Sequence, residues 1–162
     1  KAMLALGKVP PAQRTRNMQE AIKQGVDFLL SRDPAVADYP FGWGNKPSSI
    51  WFTFIYPLDS YGDVLQNLEA LAALGQAGNP KLANALDLVI SKQNQQGRWL
   101  LERTYNELTD VGKRVPRSLQ AYRRLCLRTI KDWVDIEKKG QPSKWVTLRA
   151  LRVLKAAYPE KG

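Results

Sequence analysis

Two carboxylates in this chain stand at helical spacing from polar partners: Asp63 lies four residues before Asn67, and Glu102 four after Arg98. Residues four apart share a helix face. As a general acid, Asp63 would need desolvation or a neighbouring carboxylate to raise its pKa. The other reading is a carboxylate at a helix start, worth about 1 kcal/mol of helix stability, and the position favours it. Glu102 is the second candidate acid. Arg98 either pairs with Glu102 or grips an anionic group through its planar fork. The chain has no histidine, which removes Ser-His and Cys-His triads, the usual zinc sites and the commonest general base. No catalytic set is complete, and no metal or cofactor motif is present.

The last third adds a basic and aromatic group. At about 100° per residue, Lys144, Arg152 and Lys155 share one side of a helix, with Arg149 at its edge and Trp145 within the arc. Trp145 precedes Arg149 by four residues. That spacing allows a cation–π contact or an aromatic-plus-basic surface for an anionic ligand; the plainer reading is a solvated face. Val146, Ala150, Val153, Leu154 and Ala157 form the opposite, core-facing side. Trp43, Trp51, Phe54, Tyr56 and Tyr61 either wall an apolar pocket or pack a long loop onto the helices.

These residues need elements to position them, and helices supply them. The chain has 162 residues, 44% of them hydrophobic, enough for one domain with a core. The expected fold is all-α over a single domain, 1–162. The opening Lys1 to Gly7 reads as the last turns of a helix closed by a left-handed glycine, so the chain is expected from its sequence to start within a repeat, as a fragment or half of a larger assembly. A first helix is expected from about Pro11 to Leu30, with Ile22, Val26, Leu29 and Leu30 on its apolar stripe. Ser60-Tyr61-Gly62-Asp63 opens a second, ending at Gly75, with Asp63 in the third helical position. Asn79-Pro80 opens a third, ending near Gln93. A fourth runs from about Arg117 towards Trp133, and the last from Lys144 to Ala157. Only the stretch near Trp51 to Tyr56 alternates as a short strand would.

Net charge is +10. Residues 113–162 hold fourteen basic and four acidic residues, whereas residues 1–112 balance. Such an excess attracts phosphates, nucleic acid or an acidic partner. The single cysteine, Cys126, excludes an internal disulfide, reads as a small buried hydrophobe between Leu125 and Leu127, and fits a reducing, cytoplasmic setting. No apolar run reaches membrane-spanning length.

The run Leu88-Val89-Ile90-Ser91-Lys92-Gln93-Asn94-Gln95-Gln96-Gly97-Arg98-Trp99 resembles the QW repeat of the terpenoid and squalene cyclases, with Gln93, Gly97 and Trp99 on the core positions. Lys23-Gln24-Gly25-Val26-Asp27-Phe28-Leu29 is a degenerate echo. Together with Ser143 to Leu151, the chain from Ala21 to Tyr158 looks like bacterial prenyltransferase and squalene-oxidase repeat proteins. The resemblance implies an α/α-toroid of helical hairpins, of which this length supplies about half, and a glutamine–tryptophan tie between successive helices. The family's Asp-x-Asp-Asp run is missing, and so are the residues for its zinc site.

On the toroid plan, inner helices aim their N-termini at a cavity where free N–H groups favour anions. That brings Tyr61, Asp63, Lys144 and Trp145 to its mouth, with Arg98, Trp99 and Glu102 from the adjoining loop. Trp51, Phe54, Tyr61, Asp63, Arg98, Glu102, Lys144, Trp145 and Arg149 are the candidate ligand contacts. The leading expectation is a binding or interaction module for a hydrophobic ligand with an anionic head, partnered by a second half-toroid or by its own copy. A partial cyclase or prenyltransferase-like enzyme, and nucleic-acid binding through residues 113–162, are the alternatives.

Overall fold

The computed structural model describes residues 1–37, 39, 49–58, 62–104 and 136–159. They form five α-helices: α1 (Ala2–Gly7), α2 (Arg16–Leu29), α3 (Val64–Ala73), α4 (Ala83–Ser91) and α5 (Lys144–Ala157). Short 3-10 turns cover Pro11–Gln13, Ser49–Phe52 and Pro80–Leu82. Among the described residues there is no strand, only the isolated bridge pairs Ile55–Arg103, Gln93–Trp99 and Leu100–Pro142. The fold is all-α. The stretch near Trp51 to Tyr56 is a 3-10 turn followed by one bridging residue, not a strand. The fourth helix expected from Arg117, and Cys126 within it, lie outside the described residues.

Each long helix starts where a side-chain oxygen satisfies one of its first free N–H groups. Thr15 accepts from Met18 N at 3.3 Å, Asp63 from Gln66 N at 2.6 Å and Ser143 from Val146 N at 3.0 Å. Asn79 does the same for Lys81 N at 3.1 Å, ahead of the turn that leads into α4. The cap at Thr15 explains why the first long helix begins at Arg16 and leaves Pro11–Gln13 as a separate turn. Asp63 is itself the cap of α3, three places before the third helical position expected of it.

Helix α3 is the hub. It packs against α5, α1 and α4, while α1 also packs on α2. Val64, Leu65, Leu68 and Leu71 of α3 are buried with Leu82, Ala85, Leu86 and Val89 from the α4 side and Val146, Ala150 and Val153 of α5. Each valine or leucine among them contributes about 1.5–3 kcal/mol on burial. Neither α1 nor α2 contains a fully buried residue, so the hub and its two long neighbours carry most of the apolar stabilisation. Val26 and Leu29 of α2 reach the core from its edge, and Leu30 completes their stripe.

Gly7 has a different role from the one its sequence position suggests. It lies within α1, and among the described glycines the positive φ angles belong to Gly75, Gly97 and Gly140. A Cβ on Gly7 would stand 2.8 Å from Ala73 Cβ. Its missing side chain lets α1 approach α3. Gly75, at φ 78°, turns the chain out of α3, and Gln76 N donates back to Leu71 O at 2.9 Å, as helix ends closed by a left-handed glycine do.

The segment after α4 links distant parts of the chain. Trp99 O accepts from Ser143 N at 2.8 Å, Leu101 N donates to Gln141 O at 3.0 Å, and Leu101 O accepts from Gly140 N at 2.8 Å. On its other side Glu102 N donates to Phe54 O at 2.9 Å. Among the described residues no helix is long and apolar enough to cross a membrane.

Candidate functional site

Two of the charged residues singled out from sequence, Asp63 and Arg149, meet at the junction of α3 and α5. The Arg149 guanidinium donates from Nη2 to Asp63 Oδ1 at 3.0 Å and from Nη1 to Asp63 Oδ2 at 3.3 Å. Its Nε donates to Glu69 Oε2 at 2.8 Å, and Nη1 also reaches Ile55 O at 3.4 Å. Asp63 is completely buried, and the Arg149 side chain is 11% exposed. Burial alone would lower the Arg149 pKa, but the Asp63 and Glu69 carboxylates override it and hold the group above its ordinary value. The Asp63 carboxylate receives both terminal nitrogens of Arg149 and the α3 cap bond, so both of its oxygens have internal partners.

Glu102 is committed in a similar way, though not to Arg98. Lys92 Nζ lies 2.6 Å from Glu102 Oε1 and 2.9 Å from Oε2. The same ammonium donates to Phe52 O at 2.8 Å and stands 4.8 Å from the centroid of the Phe54 ring. Glu102 Oε2 in turn accepts from Phe54 N at 2.5 Å. Arg98 is exposed and, among the described residues, pairs with no carboxylate. The Arg98–Glu102 pair, one of the two readings of that spacing, does not form, because residues 99–104 are not helical.

Helix starts that could have offered N–H groups to an anion are filled by the chain's own oxygens. At α5 the Ser143 hydroxyl hydrogen-bonds Glu137, whose other oxygen accepts from Lys144 N at 2.7 Å. The Lys144 side chain is exposed.

The aromatic candidates divide. Phe54 is buried in the core. Trp51 donates from its ring nitrogen to Pro34 O at 2.8 Å and meets Tyr39 edge-on at 5.7 Å. Tyr39 lies 5.6 Å from Phe28 and donates to Leu29 O at 2.7 Å. Its hydroxyl accepts from Asn67 Nδ2 at 3.2 Å. Trp145 is stacked on Tyr56 at 5.1 Å and 8°. The cation–π contact weighed for Trp145 and Arg149 is therefore replaced, since Arg149 turns inward to the carboxylates. Tyr61 and Trp43 lie outside the described residues.

Trp99 sits where a tie between helices would. It is fully buried, and its ring nitrogen donates to Val89 O at 2.6 Å on α4. Its backbone N–H reaches Thr147 Oγ1 on α5 at 3.1 Å. Gln93 pairs with Trp99 through backbone alone, and its side chain is exposed. The tryptophan carries this junction.

Outside the core, an open groove of about 410 Å³ runs beside the start of α5, lined by Ile136, Glu137, Lys138, Gln141, Pro142, Lys144 and Trp145. Of these, Lys144 and Trp145 were legible as candidates. Ile136, 62% exposed, and Lys138 were not, because they precede the helix whose periodicity drew attention to its neighbours. Glu69 and Lys92 were missed for another reason: neither partner stands at helical spacing, since Glu69 meets Arg149 across the fold and Lys92 meets Glu102 around the turn at Gly97. Among the described residues no group of three His, Cys, Asp or Glu side chains could hold a metal ion. No family model matches the chain, and neither curated proteins nor solved structures yield a match.

Proposed function

We propose that this chain is a binding module built from helical hairpins of the α/α-toroid type, and that it takes a hydrophobic ligand with an anionic head in the groove beside α5. The observation that carries the reading is the mixture of groups in that groove. The exposed Ile136, Pro142 and the Trp145 face offer apolar contact, and Lys138 and Lys144 supply ammonium groups at its rim. Apolar walls with a few polar groups that fix orientation are what small-molecule sites require. The head group is gripped by the lysines and not by backbone N–H groups, because Glu137 already occupies the helix start. Binding is favoured over turnover because Asp63 and Glu102, the two carboxylates suited by position to acid chemistry, are both held by internal cations. The buried Trp99 between α4 and α5 supports the hairpin-repeat reading.

The test is a titration of the chain with a prenyl diphosphate, and separately with a fatty acid, followed by tryptophan fluorescence. A saturable change is expected, lost in Trp145→Ala and weakened about tenfold in Lys144→Glu. No response at millimolar ligand, or a response that survives Trp145→Ala, would sink the reading.

A further inference from the structure

Helix α5 turns Val146, Ala150 and Val153 inward, and its outer face carries an unusual mixture. Leu148 and Leu151 are 40% and 48% exposed, and Arg152 and Lys155 beside them are exposed as well. In projection at about 100° per residue, Lys155 falls between the two leucines and Arg152 flanks Leu148 on the other side. No acidic residue occurs in α5. We infer that this outer face docks an acidic amphipathic helix of a partner protein, with leucines against Leu148 and Leu151 and carboxylates opposite Arg152 and Lys155.

Charge selects that occupant from the others an apolar strip could take. A second copy meeting the same face would set Arg152 and Lys155 against their own equivalents, and like charges across an interface cost affinity. An anionic lipid surface requires an apolar stripe with cations at its margins, whereas taking up both leucines here draws in the ammonium that lies between them. A helix meets both demands, since its side chains three and four apart can alternate leucine with glutamate along one ridge. The face is distinct from the ligand groove: it uses the later turns of α5, whereas the groove uses Lys138, Lys144 and Trp145.

The experiment uses the full chain and three probes: a fluorescent amphipathic peptide with leucine and glutamate on one face, its twin with lysine for glutamate, and phosphatidylglycerol vesicles. Saturable binding of the glutamate peptide is expected, with little binding of the lysine twin. Reversing both cations (Arg152→Glu with Lys155→Glu) should weaken the first at least about tenfold and create binding of the second. Leu148→Gln and Leu151→Gln should each weaken binding while the far-ultraviolet circular dichroism stays unchanged. Lys138→Glu should lower ligand binding in the groove and spare the peptide, so the two proposals fail separately. Equal binding of both peptides, binding of vesicles without the glutamate peptide, or insensitivity to the charge reversal would overturn the inference.

Discussion

Arg149 on α5 holds Asp63 at the cap of α3 through both of its terminal nitrogens, at 3.0 and 3.3 Å, across 86 positions of sequence. Because Asp63 is fully buried, the pair does more than orient two helices. Without the guanidinium the carboxylate is left in the interior with only its cap bond and no cation. Arg149→Ala should therefore cost about 3–5 kcal/mol, read as a lower midpoint in urea. Arg149→Lys should recover only part of that loss, since an ammonium cannot repeat the bidentate fork. A change below about 1 kcal/mol for Arg149→Ala would mean the pair is effectively solvated.

The same cluster predicts how stability follows pH. Arg149 has its pKa raised in the folded state, so its contribution is fully present below its unfolded value and is lost only as pH rises through the folded one. Both lie in strongly alkaline solution. Comparing wild type with Arg149→Met between pH 6 and pH 9 should give a stability difference that this guanidinium does not make pH-dependent. A difference that falls steadily across that range would contradict a permanently charged clamp.

Trp99 joins α4 to the start of α5, through Val89 O, Thr147 Oγ1 and Ser143 N. Trp99→Ala removes its largest contacts and should cost about 3–5 kcal/mol. Trp99→Phe keeps much of the volume but removes the ring-nitrogen bond, leaving Val89 O with only the bond from Lys92 N at 3.3 Å, for a loss of about 0.5–1.5 kcal/mol. By contrast Gln93→Ala, on an exposed side chain, should stay within about 0.5 kcal/mol. Equal effects at both positions would return the glutamine to the tie that the motif resemblance implies.

Two glycines should respond in opposite senses. A Cβ at Gly7 meets Ala73 Cβ at 2.8 Å, whereas one at Gly25 meets the flexible end of Met3, with its sulfur at 2.2 Å. Gly7→Ala has only helix atoms to push and should destabilise by about 1–3 kcal/mol, with Ala73→Gly restoring part of the loss. At Gly25 the methionine can swing aside, so Gly25→Ala should be near neutral or gain up to about 1 kcal/mol from helix propensity. Thermal melts of the two variants would separate them.

Lys92 has an ammonium shared among Glu102, Phe52 O and the Phe54 ring. Lys92→Met keeps the stem and removes these bonds, and should cost about 1–3 kcal/mol. Adding Glu102→Gln should recover part of the loss, because the second change removes the carboxylate left without its cation. Strict additivity would mean that the two side chains do not communicate.

How much of this could be read from residues alone depended on the range of the interaction. Helix α5 was legible to the residue, since its cap Ser143 and the period of Val146, Ala150 and Val153 agree. The burial of Trp99 was also foreseeable from its motif. Arg149 was assigned to the edge of a surface arc because helical projection says nothing about a carboxylate 86 positions away. Glu102 was matched to the nearest cation at helical spacing, although a turn at Gly97, with φ 73°, brings Lys92 back to it instead. Gly7 looks like a terminator in sequence because its real constraint, the closeness of α3, is not a local property. The toroid plan placed open helix starts around a cavity, and nothing in the spacing marked Glu137 as the side chain that closes one of them.

The bonding of residues 99–103 to both Phe54 and the 140–143 turn has a consequence for editing the chain. This stretch has no regular secondary structure, and by that criterion alone it would be chosen for a loop insertion or an epitope tag. Lengthening it would shift the partners of three separate segments at once, whereas the exposed tip at Gln95 and Gln96 lies outside those bonds and should accept added residues.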